Sequence, residues 1–234
     1  GSFTAKAMSP LTVAADIYTV GTGNIDLTAS AGDPGDPPGD LTVNDGITIN
    51  AEAGWVGLTA EEGDVPGDVV FGGGPDNGSI TISGATGVYI TAEDGAIRVK
   101  KHTFINSDYT IMQSGANDNI NINNNSYLTL TGTAAQLITN NVTTADGDDD
   151  TTDEGRLYAQ LAYLGFVDVD NIDLTSIDLY AVEATVFNTD ATTVTADERI
   201  DLGKTFADGD LTLTGPLALR GTLSADGKLT IGEY

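Results

Sequence analysis

Three carboxylates have the types and spacing to hold a cation. Asp146, Asp148 and Asp150 lie in the run Asp146 to Glu154, DGDDDTTDE, at the first, third and fifth positions of a calcium loop. Clustered carboxylates suit hard cations. Thr151 stands where such a loop needs glycine for its turn, and Leu157 where it needs a bidentate glutamate, so the complete motif fails. A run of like charges reads first as a solvated loop, with weak calcium binding at Asp146, Asp148 and Asp150 as the alternative; no other cofactor is expected. Other chemistry finds little footing. The chain has no cysteine, and its single histidine, His102, sits in KKHT with no motif around it, which argues against nucleophilic catalysis and zinc. No phosphate-binding or dinucleotide loop occurs; Gly72-Gly73-Gly74 runs into proline and opens no helix. Carboxylates are too many for any pair to be informative. A sugar-cleaving site needs two of them close together, beside aromatics such as the sole tryptophan, Trp55. No catalytic residue is assigned, and the expectation is a non-enzymatic protein.

Composition points the same way. Among 234 residues there are 35 acidic and 9 basic ones, a formal net charge of −26. Such a surface repels nucleic acid and anionic membranes, and no apolar run reaches the length of a membrane span. No Lys or Arg occurs between Ala7 and Ile97; then Arg98, Lys100, Lys101 and His102 form one basic patch. The patch is expected to neutralise nearby acids, or to meet an acidic neighbouring subunit.

The elements that must position these residues are short strands. From Ile17 to about Val142 the apolar residues come as alternating doublets, among them Ile25/Leu27, Leu41/Val43, Val56/Leu58, Val69/Phe71, Ile80/Ile82, Val88/Ile90, Ile97/Val99, Ile120/Ile122 and Leu128/Leu130. Residues two apart share one face of a strand, and Gly, Asp and Asn turns separate the doublets. Their close spacing favours a β-solenoid over a sandwich. GDPGDPPGD, Gly32 to Asp40, reads as a surface loop because proline cannot donate to a ladder. Phrases such as GNIDLTASAG and DGITINAEAG resemble the repeats of filamentous-haemagglutinin-type adhesins, which implies a parallel β-helix.

The most regular stretch is Gly203 to Tyr234, which reads in sixes as GKTFAD, GDLTLT, GPLALR, GTLSAD, GKLTIG. Each unit is a glycine corner followed by a strand with two apolar positions on one side. Burying these few apolar positions falls well short of the entropy of ordering the segment alone. Three chains, each giving one strand per layer, would close the layers. The expected trimer core is Leu211, Leu213, Leu217, Leu219, Leu223, Leu229 and Ile231. In this the tail resembles the triple-stranded β-helices of bacteriophage tail fibres and spikes. Between the acidic run and the tail, Leu157, Leu161 and Leu164 form a stripe at helical spacing closed by Gly165, predicting one short helix over Glu154 to Leu164. NIDLT SIDLY AVEAT VFNTD then shows a period of five and resembles one degenerate turn of the pentapeptide-repeat family; ordinary strands are the alternative.

The expected fold class is therefore all-β: a β-solenoid body with one short helix and a C-terminal hexad-repeat triple-stranded β-helix. The expected divisions are a cloning remnant at 1–7 ahead of a starting Met8, a repeat body at 8–145, an acidic loop and helix at 146–166, a β segment at 167–202 and the hexad tail at 203–234. The resemblance implies a structural virion fibre or appendage protein. It would sit on a virion or outside the cell, with itself as homotrimer, other virion proteins, or a cell-surface glycan or receptor as partners. A start at Met8 would leave no signal peptide and favour the virion. The alternatives are a fragment of a secreted β-helix adhesin and a β-helical carbohydrate-active enzyme.

Overall fold

The computed structural model describes residues 1–31, 37–61, 65–74, 78–115, 118–122, 126–131, 134–143, 156–160, 163–174, 178–187, 191–196, 199–207, 209–219 and 221–232. Across them the chain winds as a parallel β-solenoid, and each strand pairs with the strand one turn away. Face one starts with Phe3–Ala7, Ile25–Ala29, Trp55–Ala60, Gly87–Ala92 and Tyr109–Gln113. Face two starts with Leu11–Val13, Leu41–Val43, Val69–Phe71, Ile97–Val99 and Asn119–Ile122. Face three starts with Ile17–Thr19, Thr48–Ala51, Ile80–Gly84, Thr103–Asn106 and Tyr127–Thr131. Phe3–Ala7, in the segment read as a remnant, is thus the first strand of face one.

Like side chains stack on like. Inside face one run Ile25, Val56 and Val88, and beside them Leu27, Leu58, Ile90 and Met112. Inside face three run Ile49, Ile82 and Ile105, all fully buried. The apolar doublets of the sequence are these inward positions, and the three faces close on one apolar core, aliphatic but for Phe71 among the described residues. Thr103 is the inward exception on face three, between Ile80 and Leu128; its hydroxyl donates to the carbonyl of Lys101 at 2.9 Å, which removes the cost of burying it.

The ladder continues into the second half, and there the predicted helix is overturned. Arg156–Gln160 is a strand, and Tyr163 opens another that runs to Leu174. Leu157 stands in register between Leu128 and Leu179. The local stripe at helical spacing is real, but a parallel partner on each side satisfies the backbone and outweighs it. The pentapeptide-like stretch is part of the same ladder, in Tyr163–Leu174 and Asp178–Phe187, with Ile172 opposite Val194 and Leu179 opposite Ile200.

The hexads pair within one chain, where the sequence suggested three chains sharing each layer. Leu211 pairs with Leu229 and Leu213 with Ile231, eighteen residues on. The hexads between them take the other two faces: Leu217–Leu219 stacks on Ile200 to Leu202, and Leu223–Ala225 on Thr205 to Ala207. Three hexads make one turn. The preceding turns form a platform beneath the tail and supply the ladder and core that the tail alone lacks.

Truncation in the middle of a stack should therefore cost far more than at its end. Ile82→Ala, between Ile49 and Ile105, should lower stability by about 2–5 kcal/mol. Leu219→Ala, at a side chain 44% exposed, should lower it by about 1 kcal/mol or less. Urea midpoints of the two variants check this.

Candidate functional site

Three groups of side chains stand out from the regular ladder: polar residues at the corners, the basic patch, and a set of aromatics on face one. The corners carry a repeated device. Gly39-Asp40, Gly67-Asp68 and Gly95-Ala96 recur every 28 residues, each just before or at the entry to a face-two strand. Asp40 Oδ1 accepts the amide of Asp68 at 2.9 Å, and Asp68 Oδ1 accepts the amide of Ala96 at 2.8 Å. Asn24 does the same for Trp55 at 3.1 Å and Asp210 for Lys228 at 2.6 Å. The glycines make the stacking possible: a Cβ at Gly67 or Gly95 would come within 3 Å of the glycine carbonyl one turn away. The apolar doublets alone do not show this spacing, although GDLTV and GDVVF set 28 apart announce it.

The basic patch neutralises acids of this same chain. Arg98 Nε pairs with Asp68 Oδ2. Lys101 Nζ lies 3.6 Å from Oδ2 of Asp45, whose side chain is only 1% exposed and whose Oδ1 accepts the amide of Gly73 at 3.1 Å. Asp45, Gly73 and Lys101 belong to three successive turns. Gly72, at φ +105°, lets the lysine stem cross; a Cβ there would meet Lys101 Cγ at 2.7 Å. Burial, and next the charge of Lys101, push the His102 imidazole below its usual pKa. Across face one, Lys6 Nζ binds both oxygens of Glu61 at 2.7 Å and Ser30 donates to Glu61 as well, which together hold that carboxyl below the usual glutamate range.

The aromatics were legible only in part. Trp55 points outward on face one and is half-buried. Its ring meets that of Tyr89 edge-on with centroids 6.1 Å apart, and Tyr89 meets Tyr109 at 6.2 Å.

Of the predicted site residues, Asp146, Asp148 and Asp150 lie outside the described residues. Among the described residues no three His, Asp or Glu side chains converge as metal ligands. Leu211 and Leu213, assigned to a trimer core, are buried within the solenoid of one chain. Leu217 and Leu223 pack partly against that core, while Leu219, Leu229 and Ile231 are exposed on the last strands. The chain matches no family model, no curated protein and no solved structure.

Two outcomes follow. Lys101→Met leaves the Asp45 carboxylate buried without its cation and should destabilise by about 1–3 kcal/mol, and adding Asp45→Asn should recover part of the loss in denaturant unfolding. For His102 the folded-state pKa lies below its ordinary 6.5, so the unfolded chain takes up the proton first as pH falls. Its contribution is present above that value and is lost as pH drops through the folded pKa. His102→Gln should flatten the stability profile in that window when variant and parent are melted side by side.

Proposed function

We propose that this protein is a structural, non-enzymatic rod in a surface appendage, of the kind that virion fibres and bacterial adhesins provide. The observation that carries this reading is the unbroken parallel ladder from Phe3 to Gly232, in which the corners and charged groups bind one turn to the next. Face two stacks ten strands, a rise of roughly 45 Å at the ordinary strand spacing. Solenoids of this type derive their stability from neighbouring turns, which suits a protein whose task is to hold length and shape. The strongly negative surface keeps such rods apart in solution and away from nucleic acid.

Hexad pairing within a single chain favours the adhesin-like form, a single-chain rod, over a fibre whose layers are shared among three chains. Calcium at Asp146, Asp148 and Asp150 is a separate proposal, bearing on the acidic run alone.

Light scattering with and without a chelator measures the absolute mass. A one-chain mass is expected, and a chelator-resistant three-chain mass would restore the trimeric fibre. Antibodies against the purified chain should label an extended structure on the particle or cell surface in electron microscopy. Labelling confined to the cytoplasm would overturn the appendage reading.

A further inference from the structure

The aromatics of face one have an arrangement that the rod does not need. In the outward positions of two neighbouring strands Trp55 stands opposite Gly87, and Gly57 opposite Tyr89. Tyr109 follows on the next strand, beside Ile111, which pairs with Tyr89. Ring and bare backbone therefore alternate, and the three rings form a zigzag along the rod. The glycines let the rings fold down onto the sheet. A Cβ at Gly57 would meet Trp55 Cζ3 at 2.7 Å, and one at Gly87 would meet Tyr89 Cε2 at 2.8 Å and its hydroxyl at 2.9 Å. Edge-on contacts between the rings fix their orientation in advance. Beside the zigzag runs a row of polar side chains in register, Thr28, Thr59, Thr91 and Gln113, with Asp26 opposite Gly57.

We propose that this surface binds an uncharged, unbranched oligosaccharide lying along the rod. Preset rings, each turned 84° or 62° from the next, offer apolar faces and edges to the C–H groups of successive sugar units at little cost in side-chain entropy. The adjoining hydroxyl, amide and carboxylate groups suit sugar hydroxyls. Charge selects among saccharides: with no Lys or Arg from Ala7 to Ile97 and a net charge of −26, a uronate or sulfated chain is repelled. Size selects against a protein partner. Three half-covered rings present at most a few hundred Å², short of the roughly 800 Å² per partner in a stable protein interface. The site stands on its own residues and does not require the rod to be an appendage, so a cytoplasmic location would overturn that reading and leave this one untouched.

Trp55 is the only tryptophan, so its emission reports on the site directly. The intact chain is titrated with cellohexaose, maltohexaose and chitohexaose, with polygalacturonate as the anionic control. A saturable change with at least one neutral hexasaccharide and none with polygalacturonate is expected. Tyr89→Ala should weaken that binding at least about tenfold, the scale of one lost stacking ring, while Tyr89→Phe retains it. Calorimetry on Trp55→Ala should show a similar loss, with melting temperatures and circular dichroism confirming the fold of each variant. The proposal is overturned by no saturable response to any of the three sugars. Unchanged affinity in both alanine variants, or equal binding of polygalacturonate, overturns it as well.

Discussion

The return of the chain to strand-pairing distance after each turn is the constraint on which everything else depends. A parallel solenoid has no hairpins, so every strand must find its partner one whole turn away, through three corners that cannot drift. At a corner the backbone leaves the ladder, and its amides need other acceptors. Asp40, Asp68, Asn24 and Asp210 supply them from side chains, always to the turn that follows. The glycines ahead of Asn24 and Asp68, Gly23 and Gly67, lack the carbon that would press on the glycine carbonyl one turn away. Asp40, Asp68 and Asp210, three of the acids behind this chain's extreme charge, are thus bound into the framework.

The same constraint organises the charges of opposite sign. The chain has few basic residues, and Lys6, Arg98 and Lys101 each pair with an acid of another turn. Arg98 meets an Asp68 that already serves as a corner acceptor, and Lys101 reaches across an intervening turn to a buried Asp45. These contacts connect corners to one another, whereas the aliphatic stacks connect only the interior. Together they account for why a chain so acidic holds its turns in close contact.

How much of this could be read from the sequence depends on the range of the signal. The doublets were plain because each one is a strand whose two apolar residues face one core, and the inward columns of Ile25, Ile49 and Leu41 follow from them. Regular sixes likewise announced one strand per unit, but whether the next layer comes from the same chain is set by pairings eighteen residues apart, Thr205 with Leu223 and Leu211 with Leu229, which no single unit displays. The stripe at Leu157, Leu161 and Leu164 misled for the same reason: partners on both sides, invisible locally, decide its conformation. Gly57 and Gly87 gave no sign of facing Tyr89 and Trp55, since that pairing depends on a turn of 32 residues. The carboxylates whose spacing suggested a cation site, Asp146, Asp148 and Asp150, fall outside the described residues.

Turn length also has a mechanical side. Because every ladder bond lies parallel to the long axis, tension applied at the two ends would peel the coil one layer after another, as thread leaves a spool. The slack released by each layer is fixed by how many residues it holds. The final turn, from Leu211 to Leu229, would add on the order of 60 Å of extended chain, whereas a turn such as Val56 to Val88 would add about 110 Å. The rod would therefore lengthen in steps of different size along one continuous architecture, short at the final turn and longer at the turn between Val56 and Val88.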